Sequence, residues 1–220
     1  MAPFDRLLKI MLQPLVATCY LSFVMLSFLY FDQPIAWFFY NLDLKTKLPV
    51  LYWVTKLGTG EVYVIVLFLL FMFFRYIRPD TTKETRSLFL WLCVLVPYVL
   101  CGVLKVFLGR ARPELLFDNQ LYGFYGLHLQ AVYWSFPSGH TTTIMGLVFG
   151  LIVLFPRYSY AFLCAGLLIV STRVLLTNHY LSDVMTTGYL TLLEVGLLVM
   201  ILRRKSWLRS VYQPINFVKA

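Results

Sequence analysis

W-S-F-P-S-G-H-T-T-T-I-M, residues Trp134 to Met145, opens an apolar stretch that continues to Phe155. A Pro, a Ser in capping position and a Gly ahead of a helix leave the first backbone N–H groups of that helix bare. A helix start of this kind attracts an anion. Gly139 removes the side chain that would obstruct close approach, and His140 adds a group that exchanges a proton near neutral pH. A Ser-Gly pair before a helix is, on its own, no more than a cap. The weight of this one comes from its surroundings.

The surroundings are hydrocarbon-like. Of 220 residues 60% are hydrophobic and 13% charged, with a mean hydropathy of +0.76. A soluble domain carries about 25% charged residues. Apolar runs near 20 residues suit a bilayer core of roughly 30 Å. The chain therefore reads as an all-α polytopic membrane protein, a single domain over 1–220 with six transmembrane helices and short interfacial helices. The spans are predicted at about Ile10–Phe31, Val62–Tyr76, Leu88–Leu108, Ser138–Phe155, Tyr158–Leu176 and Val184–Leu202. The stretch Asp32 to Glu61, with Pro34, Pro49, Trp37 and Trp53, reads as short helices at headgroup level. Cys19, Cys93, Cys101 and Cys164 lie within apolar runs without metal spacing. The N-terminal run lacks an A-x-A-type end and reads as a retained helix.

The net charge of +9 does not point to nucleic acid, because the basic residues sit at segment ends and not on one solvated face. They are also unevenly divided. One side of the membrane receives Arg6, Lys9, Arg75, Arg78, Lys83, Arg86, Arg157, Arg203, Arg204, Lys205, Arg209 and Lys219. The other receives Lys45, Lys47, Lys56, Lys105, Arg110, Arg112 and Arg173. The positive-inside rule then places both termini in the cytoplasm and the 109–137 loop outside.

Three polar clusters fall at span ends on that outer side. K-V-F-L-G-R-A-R-P carries Lys105 and Arg112; the second is Pro137–His140; R-V-L-L-T-N-H-Y-L-S-D carries Arg173, His179 and Asp183. Span three ends, four begins, five ends and six begins at one surface, so residues distant in sequence can converge. Three cations, two histidines, an aspartate and an anion nest suit a phosphate. Lys105, Arg112 and Arg173 neutralise its oxygens, and Ser138 with the amides through Gly139 to His140 completes the cradle. His179 and Asp183, four apart, share a helix face, so Asp183 can orient the imidazole for attack on phosphorus. His140 is then the general acid for the leaving oxygen. With no carboxylate cluster to hold a metal, a metal-independent phosphohistidine route is favoured, with no cofactor. Arg110 reads either as a steering charge or as a solvated loop residue, and His128 as solvated. The aromatic loop from Phe117 to Phe136 reads as an interfacial lid or anchor.

K-x6-R-P, P-S-G-H and R-x5-H-x3-D, in this order, resemble the three signature motifs of the type 2 phosphatidic acid phosphatase superfamily across positions 105–183. The resemblance implies a six-helix membrane phosphatase with His140 as acid and His179 as nucleophile. Thr172 stands where that family often has Ser; both keep a hydroxyl. The expected activity is removal of the terminal phosphate from a lipid phosphate or diphosphate, such as an isoprenoid diphosphate or lipid A, in a bacterial inner membrane. A lipid phosphotransferase using the same residues, or a non-enzymatic lipid-binding protein, remains open at this point.

Overall fold

The computed structural model describes residues 1–204, and among these every regular element is helical. The helices are α1 (Pro3–Met11), α2 (Pro14–Leu42), α3 (Leu44–Lys47), α4 (Pro49–Lys56) and α5 (Gly60–Ile77). They continue as α6 (Thr81–Leu108), α7 (Pro113–Asn119), α8 (Gly139–Leu154), α9 (Pro156–Leu175) and α10 (Leu181–Arg204). Five of them, α2, α5, α6, α9 and α10, are long and apolar enough to cross a membrane. Leu15, Phe23, Ile65, Leu69, Phe107, Leu168 and Leu197 are exposed on their outer faces. In lipid such side chains are solvated, so the chain is an all-α integral membrane protein of several spans.

The sixth apolar helix, α8, is different in kind. Its 16 residues rise only about 24 Å, and 12 of them are buried. Helices α6, α9 and α10 surround it, and α1 packs against it with Phe4 beside Phe149. A Cβ at Gly146 would lie 2.4 Å from the Cys93 carbonyl oxygen. Glycine there lets α6 and α8 meet backbone to backbone, as small residues do between membrane helices. The core cluster runs along α8 through Ile144, Val148, Phe149 and Ile152 to Val195 and Val199 of α10.

Three predicted boundaries move, and one is the start of α6, which lies at Thr81 and not Leu88. The first span does not begin at Ile10: Gln13 is extended ahead of Pro14, the first residue of α2, so Ile10 belongs to the separate amphipathic α1. The same span does not stop at Phe31, because α2 runs on to Leu42. Pro34 cannot donate one turn back, and a widened π turn at Ser27–Phe31 precedes it. Of the predicted interfacial helices, only α3 and α4 are short ones. Arg203 binds Asp5 through both guanidinium nitrogens at 2.8 and 3.2 Å, holding α1 to the end of α10. Arg75, Arg157 and Arg203 thus gather at the bundle end opposite the three motif clusters. Lys205, Arg209 and Lys219 lie outside the described residues.

Candidate functional site

Each cluster is set by local chain geometry. Gly109 closes α6 in the left-handed region at φ 54°, and a Cβ there would lie 1.8 Å from the Gly126 carbonyl oxygen. Only glycine satisfies both constraints. Residues 110–112 then run between two passages of the 109–137 loop. Ala111 N donates to Gly123 O at 3.0 Å, Arg112 N to Val132 O at 2.9 Å and Ser135 N to Arg110 O at 3.0 Å. Arg112 becomes the N-cap residue of α7, with Pro113 in its first turn. The loop is therefore bound into the site's framework, and His128, read as solvated, stacks on Tyr133 with ring centres 4.1 Å apart.

Ser138 caps α8, its Oγ accepting from Thr141 N at 3.4 Å and Thr141 Oγ1 at 3.0 Å. Its own N–H donates to Thr187 Oγ1 at 3.0 Å. The amides left without an intrahelical acceptor are thus those of Gly139 and His140. A Cβ at Gly139 would lie 3.3 Å from Lys105 Nζ, which puts the ammonium against this helix start.

The third cluster rests on the end of α9. Asn178 N donates to Arg173 O at 2.9 Å and Thr177 N to Val174 O at 3.0 Å, a Schellman closure. Thr177 occupies the left-handed position at φ 53°, which favours glycine. His179 N also donates to Arg173 O, at 3.1 Å, so one carbonyl sets both the arginine and the histidine. The Arg173 side chain donates through Nη1 to Thr55 Oγ1 of α4 at 2.8 Å.

The structure brings Lys105, Arg112 and Arg173 within electrostatic range of His140 at the start of α8, and Lys105 and Arg173 within range of His179 as well. His179 is buried, and its Nδ1 lies 2.6 Å from the Ser135 carbonyl oxygen. A carbonyl only accepts, so Nδ1 carries the hydrogen and the Nε2 lone pair is free. Burial pushes the His179 imidazole down to about 3, against the opposing pull of Asp183. It is neutral at physiological pH. Asp183 Oδ2 stands 3.7 Å from Nδ1 and accepts instead from Ser135 Oγ at 2.6 Å and Tyr180 N at 3.0 Å. Asp183 therefore acts on the imidazole through charge and through Ser135, not by a direct hydrogen bond.

Arg110 is neither solvated nor available for steering. Only 2% exposed, it pairs with Asp32 at 2.7 Å and with Asp183, and donates to Ser182 Oγ at 2.9 Å. Asp32 also accepts from Ser182 N at 2.9 Å and from Tyr122 OH at 3.1 Å. Sequence reasoning missed Asp32, Ser135, Thr55 and Tyr122, all outside the three clusters. A lone Asp inside an apolar run was the one available signal, since an ionisable group there demands a partner. Among the described residues, Nε of Arg112 and Nε of Arg173 are buried without a hydrogen-bond acceptor. Buried cationic donors left open beside free helix-start amides form a site complementary to an oxyanion.

Fold and site together define a polytopic helical membrane protein with a largely buried cluster of cations and histidines at one end of its bundle. A family model described as the PAP2 superfamily matches residues 86–207, more than half of the chain, and the chain belongs to that superfamily. The lipid A 1-phosphatase of Rhizobium johnstonii is 32% identical over 178 residues, covering 74% of this chain and 70% of that protein. The lipid A 1-phosphatase of Rhizobium etli is 38% identical over 96 residues, covering 44% of this chain and only 41% of its relative. No solved structure matches the chain significantly.

Proposed function

We propose that this protein is a membrane lipid phosphatase that releases the phosphate of a lipid A-type glycolipid through a phosphohistidine on His179. The observation that carries the reading is the convergence of Lys105 Nζ, set against the start of α8, with Arg112 and Arg173 acting on His140 there and a neutral His179 imidazole whose Nε2 is free. Both curated relatives above are named for lipid A 1-phosphate hydrolysis, which favours that substrate over an isoprenoid diphosphate.

In this reading the phosphoryl oxygens lie on Lys105, Arg112, Arg173 and the amides of Gly139 and His140, with Ser138 holding the helix start in shape. Nε2 of His179 attacks phosphorus in line, and the N–P bond forms as the P–O bond to the lipid breaks. His140 gives its proton to the departing oxygen. Water then attacks the phosphohistidine with His140 taking its proton, so N–P cleavage restores both rings and releases phosphate. Asp183 and the Ser135 carbonyl hold His179 in the attacking tautomer and offset the charge that develops on it. The weight of Lys and Arg at the opposite bundle end supports cytoplasmic termini and a pocket on the outer face of a bacterial inner membrane.

The test is phosphate release by purified, detergent-solubilised protein from lipid A 1-phosphate, undecaprenyl diphosphate, phosphatidylglycerophosphate and phosphatidic acid. The expected result is preference for lipid A and a fall of at least about 10³-fold for His179→Ala. Release that survives His179→Ala refutes the mechanism. Turnover that appears only with an acceptor lipid present makes the protein a phosphotransferase.

A further inference from the structure

The linker between α4 and α5, Leu57 to Thr59, lies outside all three motif clusters yet rests on His140. A Cβ at Gly58 would fall 2.7 Å from His140 Cδ2, and one at Gly60 would fall 2.7 Å from Thr143 Oγ1 and 2.5 Å from Tyr98 Cε2. The next residue is Glu61. Its Oε1 accepts from Tyr98 OH at 2.6 Å, and the carboxylate acts electrostatically on both His140 and Lys105. Tyr98 is on α6 seven residues before Lys105, two turns down the same helix face. Glu61 is exposed, so it is the Tyr98 hydroxyl, not burial, that fixes its carboxylate.

The other charged groups acting on His140 are Lys105 of α6, Arg112 of the outer loop and Arg173 of α9, all cationic. A general acid must carry a proton before it can give one away. Burial first, and then three nearby cations, oppose that proton, and Glu61 is the acidic group acting on the other side. We propose that Glu61, held by Tyr98, is a positioning residue for His140, stabilising the imidazolium that protonates the leaving oxygen. Glu61 itself neither gives nor takes a proton in this step; the proton passes from His140 to the lipid oxygen as the P–O bond breaks. The proposal rests on the phosphatase reading above and adds to it a residue from outside the family motifs.

Leaving-group chemistry separates this role from a merely structural one. A long-chain alkyl phosphate expels an alkoxide that needs the proton; p-nitrophenyl phosphate expels a stable anion that does not. With the full chain in detergent, Glu61→Gln is expected to lower kcat on the alkyl phosphate by about 10-fold or more, a part of the usual general-acid contribution. On p-nitrophenyl phosphate the loss stays within about 3-fold, and the basic limb of kcat on the alkyl ester moves to lower pH. Tyr98→Phe, which keeps the carboxylate but removes its donor, shifts both readouts in the same sense by less, and stands in should Glu61→Gln not fold. Equal losses on both esters, or none on either, overturn the proposal. Wild-type protein that releases phosphate from neither ester overturns the phosphatase reading, and this inference with it.

Discussion

Arg110 is the residue whose neighbourhood most constrains the site. Removing its side chain leaves Asp32 and Asp183 facing each other's charge in a dry interior, and a broken buried pair costs about 3–5 kcal/mol. Arg110→Ala is therefore expected to lower the melting temperature in detergent sharply. Arg110→Lys loses the forked geometry that joins two carboxylates and fares little better. His179 gives a pH signature. Its folded value near 3 lies below the roughly 6.5 of an unfolded histidine, so between these limits the unfolded chain binds more protons. Stability contributed by this group is thus complete above about pH 6.5 and drains away as pH falls, at up to about 1.4 kcal/mol per unit. Melting temperature against pH should be steeper for wild type than for His179→Gln from pH 6.5 to 4. The motif residues could be read in the sequence because each is a polar type at a span end. Asp32 and Ser135 could not be read so, because their roles follow from side chains 150 and 44 residues away.

At the scale of elements, the spans follow from hydrocarbon length, and four of the six were legible to within a few residues. The start of α6 and both ends of the first span were not. Apolarity alone joins Ile10 to the span, whereas Pro14 imposes an extended residue ahead of it and splits off α1. The end of α9 shows the opposite relation, a local rule broken where the site needs it. Thr177 stands in a left-handed position that a β-branched residue enters at a cost of about 1–3 kcal/mol. Thr177→Gly is expected to raise the melting temperature by relieving this strain, with the Schellman bonds intact. If that turn fixes His179 by its stiffness, the same variant lowers kcat; unchanged kcat with raised stability would assign the threonine to neither task.

Across the whole molecule, the helices outside the family match are fastened to its chemistry. Residues 86–207 contain the three clusters, but Asp32 of α2 closes on Arg110 and Ser182, and Thr55 of α4 closes on Arg173. A chain trimmed to the matched region is expected to bind no anion, as read by the absence of a phosphate- or tungstate-induced rise in melting temperature. The full chain, at 100 times its dissociation constant for such an anion, gains about 2.7 kcal/mol. Coupling of this kind is invisible to pattern reading, which finds where charges fall along the chain but not which distant helix answers them.

The shortness of α8 bears on how the protein is made. A 16-residue segment headed by Gly139, His140 and three threonines is a weak candidate for leaving the insertion machinery on its own, being several residues short of a stable span. Its shelter is α6 on one flank and α9 and α10 on the other, and the latter two are synthesised after it. The cluster around the start of α8 is therefore complete only when α9 and α10 have emerged and closed around their predecessor, so a ribosome-bound intermediate ending near Leu154 would leave that segment without its sheath.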